Sequence, residues 1–357
     1  MTAPLVPLRA VVQQIPAYVP GARSGAGAQA HKLSSNENPY PPFEPVRLAV
    51  AEAAAQINRY PDMFATELGE ALAAKHGVDA SGVVTGCGSV AVLGHLLQAF
   101  CDAGDEVVYA WRSFEAYPIL VRLQGAVPVE VPVDADGRHD LVAMAAAVTD
   151  RTRVLLVCSP NNPTGPAVRH DELLALLATV PETVLVVLDE AYVEFVRQDG
   201  AVRSAEVLAA HPNVVLLRTF SKAYGLAGLR VGYAVTHPDL ARGIRTATTP
   251  FGVNHLAQVA ALASLQVEDA LLERVEALVA ERERVLHGLR AHGWTVPDAQ
   301  GNFVWLGTGA ATMDRARDAM AAGLLVRPFA GEGMRVSIGE TAANNRLLEV
   351  AVGWERP

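Results

Sequence analysis

The stretch Arg218-Thr-Phe-Ser-Lys-Ala-Tyr-Gly-Leu-Ala-Gly-Leu-Arg230 follows directly on the apolar segment Val214-Val-Leu-Leu217. An apolar run that breaks into small, hydroxyl and glycine residues reads as a buried strand leaving its sheet through a tight turn. Lys222 then stands at the strand exit and points into a crevice, where burial and nearby positive charge lower an amine pKa and make it a nucleophile toward an aldehyde. Thr219 and Ser221 add hydroxyl donors, and Arg230 adds a planar fork suited to a phosphate. A lone lysine in a loop is more often simply solvated. The surrounding chain decides between these readings.

Working outward, short continuous apolar segments alternate with amphipathic helical patterns: Glu106-Val-Val-Tyr109, Val127 to Val131, Val154-Leu-Leu-Val-Cys158 and Val184-Leu-Val-Val-Leu188 precede Val214 to Leu217. This alternation predicts an α/β fold with a mainly parallel sheet sandwiched by helices. Ligands in such sheets lie beyond the strands' carboxyl ends. The polar motifs fall there: Gly86 to Ser89, Phe114, Ser159-Pro-Asn-Asn-Pro-Thr-Gly165, Asp189-Glu-Ala-Tyr192 and Ser221-Lys222. Gly86 and Gly88 allow close backbone approach, and a helix starting at Ser89 offers free N–H groups to an anion. Phe114, at a strand end, can cover a flat ring or fill core. Residues from about 255 to 290 read as nearly continuous helix. Beyond them, Asn302 to Leu306, Met313 to Ala322, Leu324 to Pro328 and Met334 to Ile338 read as a smaller α+β C-terminal domain.

At 357 residues the chain exceeds the size at which one core keeps growing, so two lobes are expected. Hydrophobic residues make up 51%, charged residues 19%, and the net charge is −9 without a basic tract, which argues against a nucleic-acid partner. Cys87, Cys101 and Cys158 have neither a disulfide framework nor metal-ligand spacing, so no metal is expected. The sequence has no membrane-length apolar run and no leader pattern, and it reads as cytoplasmic. Residues 1 to about 30 form an extended Pro/Gly/Ala-rich arm with a helical piece near Leu8 to Gln14. The Leu33-Ser-Ser-Asn-Glu-Asn-Pro-Tyr40 loop then leads into a helix from about Val46 to Ile57, which ends before Tyr60-Pro61.

Asp189 ends an apolar strand, so its carboxylate requires a cationic partner or a protonated state. A pyridinium nitrogen is one such partner, and its protonation turns the ring into an electron sink. Taken singly, Asp189 also suits a structural salt bridge to an arginine. Asn161 and Tyr192 can donate hydrogen bonds to a ring oxygen, although Asn161 to Gly165 also has the composition of an ordinary turn.

The motifs SSNENPY, NRYPD, SPNNPTG, DEAY, SKAYGLAGLR and MRVSIG together resemble the aspartate-aminotransferase superfamily of pyridoxal-phosphate enzymes (fold type I), in the histidinol-phosphate aminotransferase branch. GCGSV, WRSFEAYP and TPFGVNHLAQ look closer still to the actinobacterial aromatic amino acid aminotransferases of that branch. The resemblance covers about Leu33 to Ile338. It implies an arm over residues 1–32, a large cofactor-binding domain over 33–254, and a connecting helix with the small domain over 255–357.

It further implies that Lys222 carries pyridoxal 5'-phosphate as a Schiff base and moves the proton. Asp189 would meet the pyridine nitrogen, Asn161 and Tyr192 the ring oxygen, and Phe114 would stack on the ring. The phosphate would be held by Gly88, Ser89 and Val90, by Thr219, Ser221 and Arg230, and by Tyr60 from the other subunit of a homodimer. Arg335 and Arg327 would bind the anionic end of the substrate, with Asn36 and Tyr18 on the substrate side. The family often has an acidic or amide residue where this chain has Val90, so backbone donors must serve there. The implied activity is amino transfer from phenylalanine or tyrosine, and from histidinol phosphate, to 2-oxoglutarate. Histidinol-phosphate aminotransferase is the alternative, and a decarboxylase of a phosphorylated amino acid is a third reading. A DNA-binding regulator on this fold would need an added domain, for which roughly 30 residues ahead of the first motif are too few.

Overall fold

The structure is a computed structural model that describes residues 6–15, 21 and 30–354. Its centre is a seven-stranded sheet. The strands are β1 (Val83–Gly86), β2 (Glu106–Trp111), β3 (Val127–Pro132), β4 (Thr152–Cys158), β5 (Leu185–Asp189), β6 (Val214–Thr219) and β7 (Gly232–Thr236), in spatial order β1-β7-β6-β5-β4-β2-β3. Only β7 runs antiparallel to its neighbours β1 and β6, so the sheet is mainly parallel as expected.

Strand alternation divides the core into two layers. Val186, Leu188 and Leu216 pack on one face with Val108, Leu155 and Val157. Leu185, Val187, Val215 and Leu217 pack on the other with Val107, Leu156 and Tyr117. The same period carries past the apolar runs. Asp189 continues the face of Leu185 and Val187, and Thr219 continues that of Leu217.

A second, three-stranded antiparallel sheet is built from β8 (Phe303–Leu306), β9 (Arg327–Phe329) and β10 (Gly333–Ser337), with β10 in the middle. Arg327 on β9 lies directly across from Arg335 on β10. The C-terminal strands and the Thr312–Ala321 helix follow the expected pattern, and a final helix, Thr341–Val352, packs with them.

Three local expectations need adjustment. The long helical segment is two helices, His255–Gln266 and Glu268–Ala291, separated at Val267. Acidic Glu268 and Asp269 start the second one, where the helix dipole favours them. The helix after the proline loop spans Glu44–Ala53 and tightens into a 3-10 turn over Ala54–Gln56. The arm's helix covers Ala10–Gln14.

Candidate active site

The carboxyl ends of β2, β4, β5 and β6 open into a cavity of about 470 Å³, which β9 and β10 border from the other side. Lys222 leaves β6 through the Ser221 turn, and its Nζ donates to the carbonyl of Ser35 at 3.0 Å. Burial, helped by the charges of Arg335 and Arg230, brings this amine down to about 7. Its only hydrogen-bond partner among the described residues is thus an uncharged acceptor, and much of the amine is unprotonated near neutral pH.

Asp189 sits across the cavity, buried, with Oδ2 accepting from the Tyr117 hydroxyl at 2.7 Å and Oδ1 from the N–H of Ala191 at 3.3 Å. Burial pushes its carboxyl up to about 6, against the lowering effect of these donors. No lysine or arginine forms an ion pair with it among the described residues. Glu190, one residue on and facing the other way, does have one: its Oε2 lies 2.6 Å from Arg218. The structural salt bridge that could have explained Asp189 belongs to its neighbour.

Tyr192 is buried, and its hydroxyl accepts from Asn36 Nδ2 at 3.0 Å, so the hydroxyl proton can be donated to another group. Burial raises this phenol to about 12, so it remains a donor at neutral pH. Asn36 itself does not line the cavity. It adopts φ 52°, a left-handed conformation that asparagine tolerates, and is bonded on both sides to Ser337. Its role is to fix Tyr192.

Asn161 departs from expectation. Its Nδ2 donates to the Arg112 carbonyl and to Thr164 Oγ1, its Oδ1 accepts from Ser113, and the side chain lies off the cavity. The turn that follows β4 turns the next residue inward instead. Asn162 lines the cavity, and its Oδ1 accepts from Arg335 Nη1 at 2.5 Å. The expected contact of Asn161 with a ring oxygen is therefore corrected, and Asn162 is the asparagine in position.

Ser89 and Val90 open the Ser89–Phe100 helix at the cavity wall, preceded by Gly88 with φ 79°. A Cβ at Gly88 would run into the Arg230 guanidinium, so glycine is what allows the arginine to lie over the helix N-terminus. Arg230 also has a left-handed backbone (φ 59°) and donates to the Ala227 carbonyl at 3.0 Å. Thr219, Ser221 and Arg230 line the same corner. Helix N–H groups, hydroxyls and a guanidinium converge there as an anion site.

Phe114, Ile119, Leu120 and Phe329 give the cavity an apolar wall. Arg335 Nη2 donates to the Ser34 carbonyl at 2.7 Å, and Arg327 Nη2 donates to Glu115 Oε2 at 2.7 Å. Tyr60 is remote from the cavity of its own chain, 82% exposed, and stacks on Phe251 at 4.6 Å. Tyr18 lies outside the described residues. Sequence reasoning missed Tyr117, Asn162 and Glu115; the available signal was Tyr117, a tyrosine in the first turn of the Ala116–Gln124 helix three residues after Phe114.

A lysine with a depressed pKa, a buried carboxylate lacking a cation, an anion site at a helix N-terminus and an aromatic wall fit a phosphorylated, planar pyridine aldehyde. The comparisons with known proteins agree. A profile described as aminotransferase class I and II matches residues 29–350. The chain belongs to this family. It is 55% identical over 344 residues to an aromatic amino acid aminotransferase of Streptomyces avermitilis, covering 96% of each chain. A Thermobifida fusca protein of the same name is 54% identical, again with 96% of each covered. Among solved structures, the histidinol-phosphate aminotransferase of Sinorhizobium meliloti in complex with pyridoxal-5'-phosphate superimposes with a TM-score of 0.86 at 29% identity, over 96% of this chain and 97% of that one. Thermus thermophilus aspartate aminotransferase bound to maleate gives 0.80 at 26%, over 97% and 100%. This chain is accordingly an aminotransferase of fold type I.

The two titrating groups give opposite pH signatures. Lys222 has a folded pKa of about 7 against 10.5, so between these values the unfolded chain holds the extra proton and stability rises with pH. Asp189 has a folded pKa of about 6 against 3.8, so the folded protein holds the proton and stability falls as pH rises through that window. Urea midpoints of the cofactor-free protein should therefore climb more steeply above pH about 7 in wild type than in Lys222→Met. Parallel curves for the two would refute the depressed amine.

Proposed function

We propose that this enzyme transfers the amino group of phenylalanine or tyrosine to 2-oxoglutarate, with pyridoxal 5'-phosphate attached at Lys222. The observation that carries this reading is the pairing, in one cavity, of an amine held near neutrality with an apolar wall and the Arg335 fork. Relatives named aromatic amino acid aminotransferase, 54–55% identical over nearly the whole chain, support the same donor class.

The cofactor supplies an aldehyde carbon and an electron-accepting ring. The chain's residues do the rest. Asp189 would meet the cofactor's ring nitrogen and favour its protonated form, its own ionised form being favoured by that positive partner. Tyr192, oriented by Asn36, and Asn162 would donate to the ring oxygen. Phe114 would cover the ring face. Ser89 with the N–H groups around Gly88 and Val90, together with Thr219, Ser221 and Arg230, would hold the phosphate. Arg335 grips the substrate carboxylate with two parallel hydrogen bonds. Lys222 Nζ would take the proton from the substrate Cα and return it on the cofactor side.

The unit proposed is a cytoplasmic homodimer, each chain with an arm (1–32), a large domain (33–254) and a C-terminal portion (255–357). Among the described residues, no helix is long and apolar enough to cross a membrane. Tyr60 would complete the phosphate site of the partner, consistent with its exposure on the surface of one chain. Histidinol phosphate is the competing donor, supported by the Arg327 and Arg335 pair on adjacent strands and by the Sinorhizobium meliloti structure.

Borohydride reduction of the holoenzyme and peptide mapping should place the label on Lys222, and kcat/KM for phenylalanine should match or exceed that for histidinol phosphate. A preference for histidinol phosphate of about a hundredfold, or ~2.7 kcal/mol in the transition state, would reassign the enzyme. Mixing Tyr60→Phe with Lys222→Ala chains tests the dimer. If Tyr60 acts across the interface, both lesions can fall on one site, leaving the other intact; heterodimers no more active than either parent would show that it does not.

A further inference from the structure

Glu115 takes no part in the chemistry above, yet it lines the cavity and forms the ion pair with Arg327, the two side chains being 28% and 9% exposed. It stands at the N-terminal cap of the Ala116–Gln124 helix, where a carboxylate is stabilised by the helix dipole. Arg327 and Arg335 are direct cross-strand partners, and both line the cavity. Two guanidinium groups so placed repel each other, and Glu115 relieves that repulsion. The Arg327 guanidinium also lies 5.6 Å from the centre of the Phe329 ring, so the ion pair packs against the apolar wall. The other carboxylate on the substrate side, Glu37, is bonded to Lys32 at 2.7 Å.

We propose that Glu115 is a specificity-determining residue. By occupying Arg327, it leaves one net guanidinium charge rather than two facing the substrate end of the cavity. A donor with one carboxylate and an uncharged ring leaves the Glu115–Arg327 pair intact, with Arg335 taking the carboxylate. A substrate with a second carboxylate or a phosphate must displace Glu115 from Arg327 or enter against its charge. The inference rests on the amino-transfer reading of this cavity.

The test uses holoenzyme and the kcat/KM of aspartate and of histidinol phosphate, each divided by that of phenylalanine. Glu115→Gln should raise both ratios by about tenfold, since one opposing charge is removed. Arg327→Gln should lower them, because Glu115 then faces the incoming anion without its partner. The double variant should return to within about twofold of wild type, the net charge at that end being restored. The dissociation constants of unreactive maleate and 3-phenylpropionate, read from the cofactor absorbance, should shift in the same sense and do not depend on turnover. Ratios unchanged in Glu115→Gln, or a double variant whose ratios stay as high as those of Glu115→Gln alone, would overturn the assignment. A wild-type enzyme that favours the phosphorylated donor would defeat the aromatic reading, whereas the direction of the Glu115→Gln shift judges Glu115 alone.

Discussion

Asp189 is a carboxylate placed at the end of an otherwise apolar strand, and no lysine or arginine among the described residues forms an ion pair with it. Alternation along β5 puts Glu190 on the opposite face, where Arg218 meets it at 2.6 Å and the hydroxyl of Ser204 donates to it. Asp189, on the other face, has among the described residues the Tyr117 hydroxyl and one backbone N–H as hydrogen-bond partners. A protein built for stability alone would pair both residues or make Asp189 apolar, because a buried ion lacking a partner costs several kcal/mol. Instead the site is held in a state that a positively charged ring nitrogen would relieve. In the proposed function, the stability lost at this position would become binding free energy for a cofactor with such a nitrogen.

The cationic side of the cavity follows the same logic with different partners. Lys222 and Arg335 are tied to the carbonyls of Ser35 and Ser34, consecutive residues of one loop. These carbonyl acceptors hold both side chains in place at the cavity wall. The loop is pinned in turn by Asn36, which joins Tyr192, three residues past the end of β5, to Ser337 on the small sheet. The Asn302 amide reaches the Asn36 carbonyl at 3.1 Å and closes the link. A shift between the two sheets would therefore be felt at the amine, the phenol and the arginine together.

Much of this was legible in the sequence, because strand runs of strong apolar character announce their own ends. Lys222, Asp189, Thr219 and the Gly88–Ser89 turn all lie within two or three residues of such an end, and the structure brings them together. The choice between Asn161 and Asn162 was not legible. Once β4 is over, the two-residue alternation no longer applies, and which amide faces inward depends on the turn that Pro160 and Pro163 impose. Tyr117 was read as part of a helix and not as a partner for Asp189, since that contact joins residues 72 positions apart. The Thr66–His76 helix also escaped notice: Gly69 weakens its helical signal, and its buried side chains, Leu68, Leu72 and Ala73, form a narrow stripe. The break at Val267 was hidden by helix-favouring residues on either side.

The central claim is that Asp189 exists to keep a ring nitrogen protonated. The most direct measurement is the 15N chemical shift of ring-labelled pyridoxal 5'-phosphate bound to wild type and to Asp189→Ala, followed across neutral pH. The account predicts a protonated nitrogen in wild type throughout that range, and a nitrogen that loses its proton in the variant. A protonated nitrogen in both, or a neutral one in wild type, would contradict it.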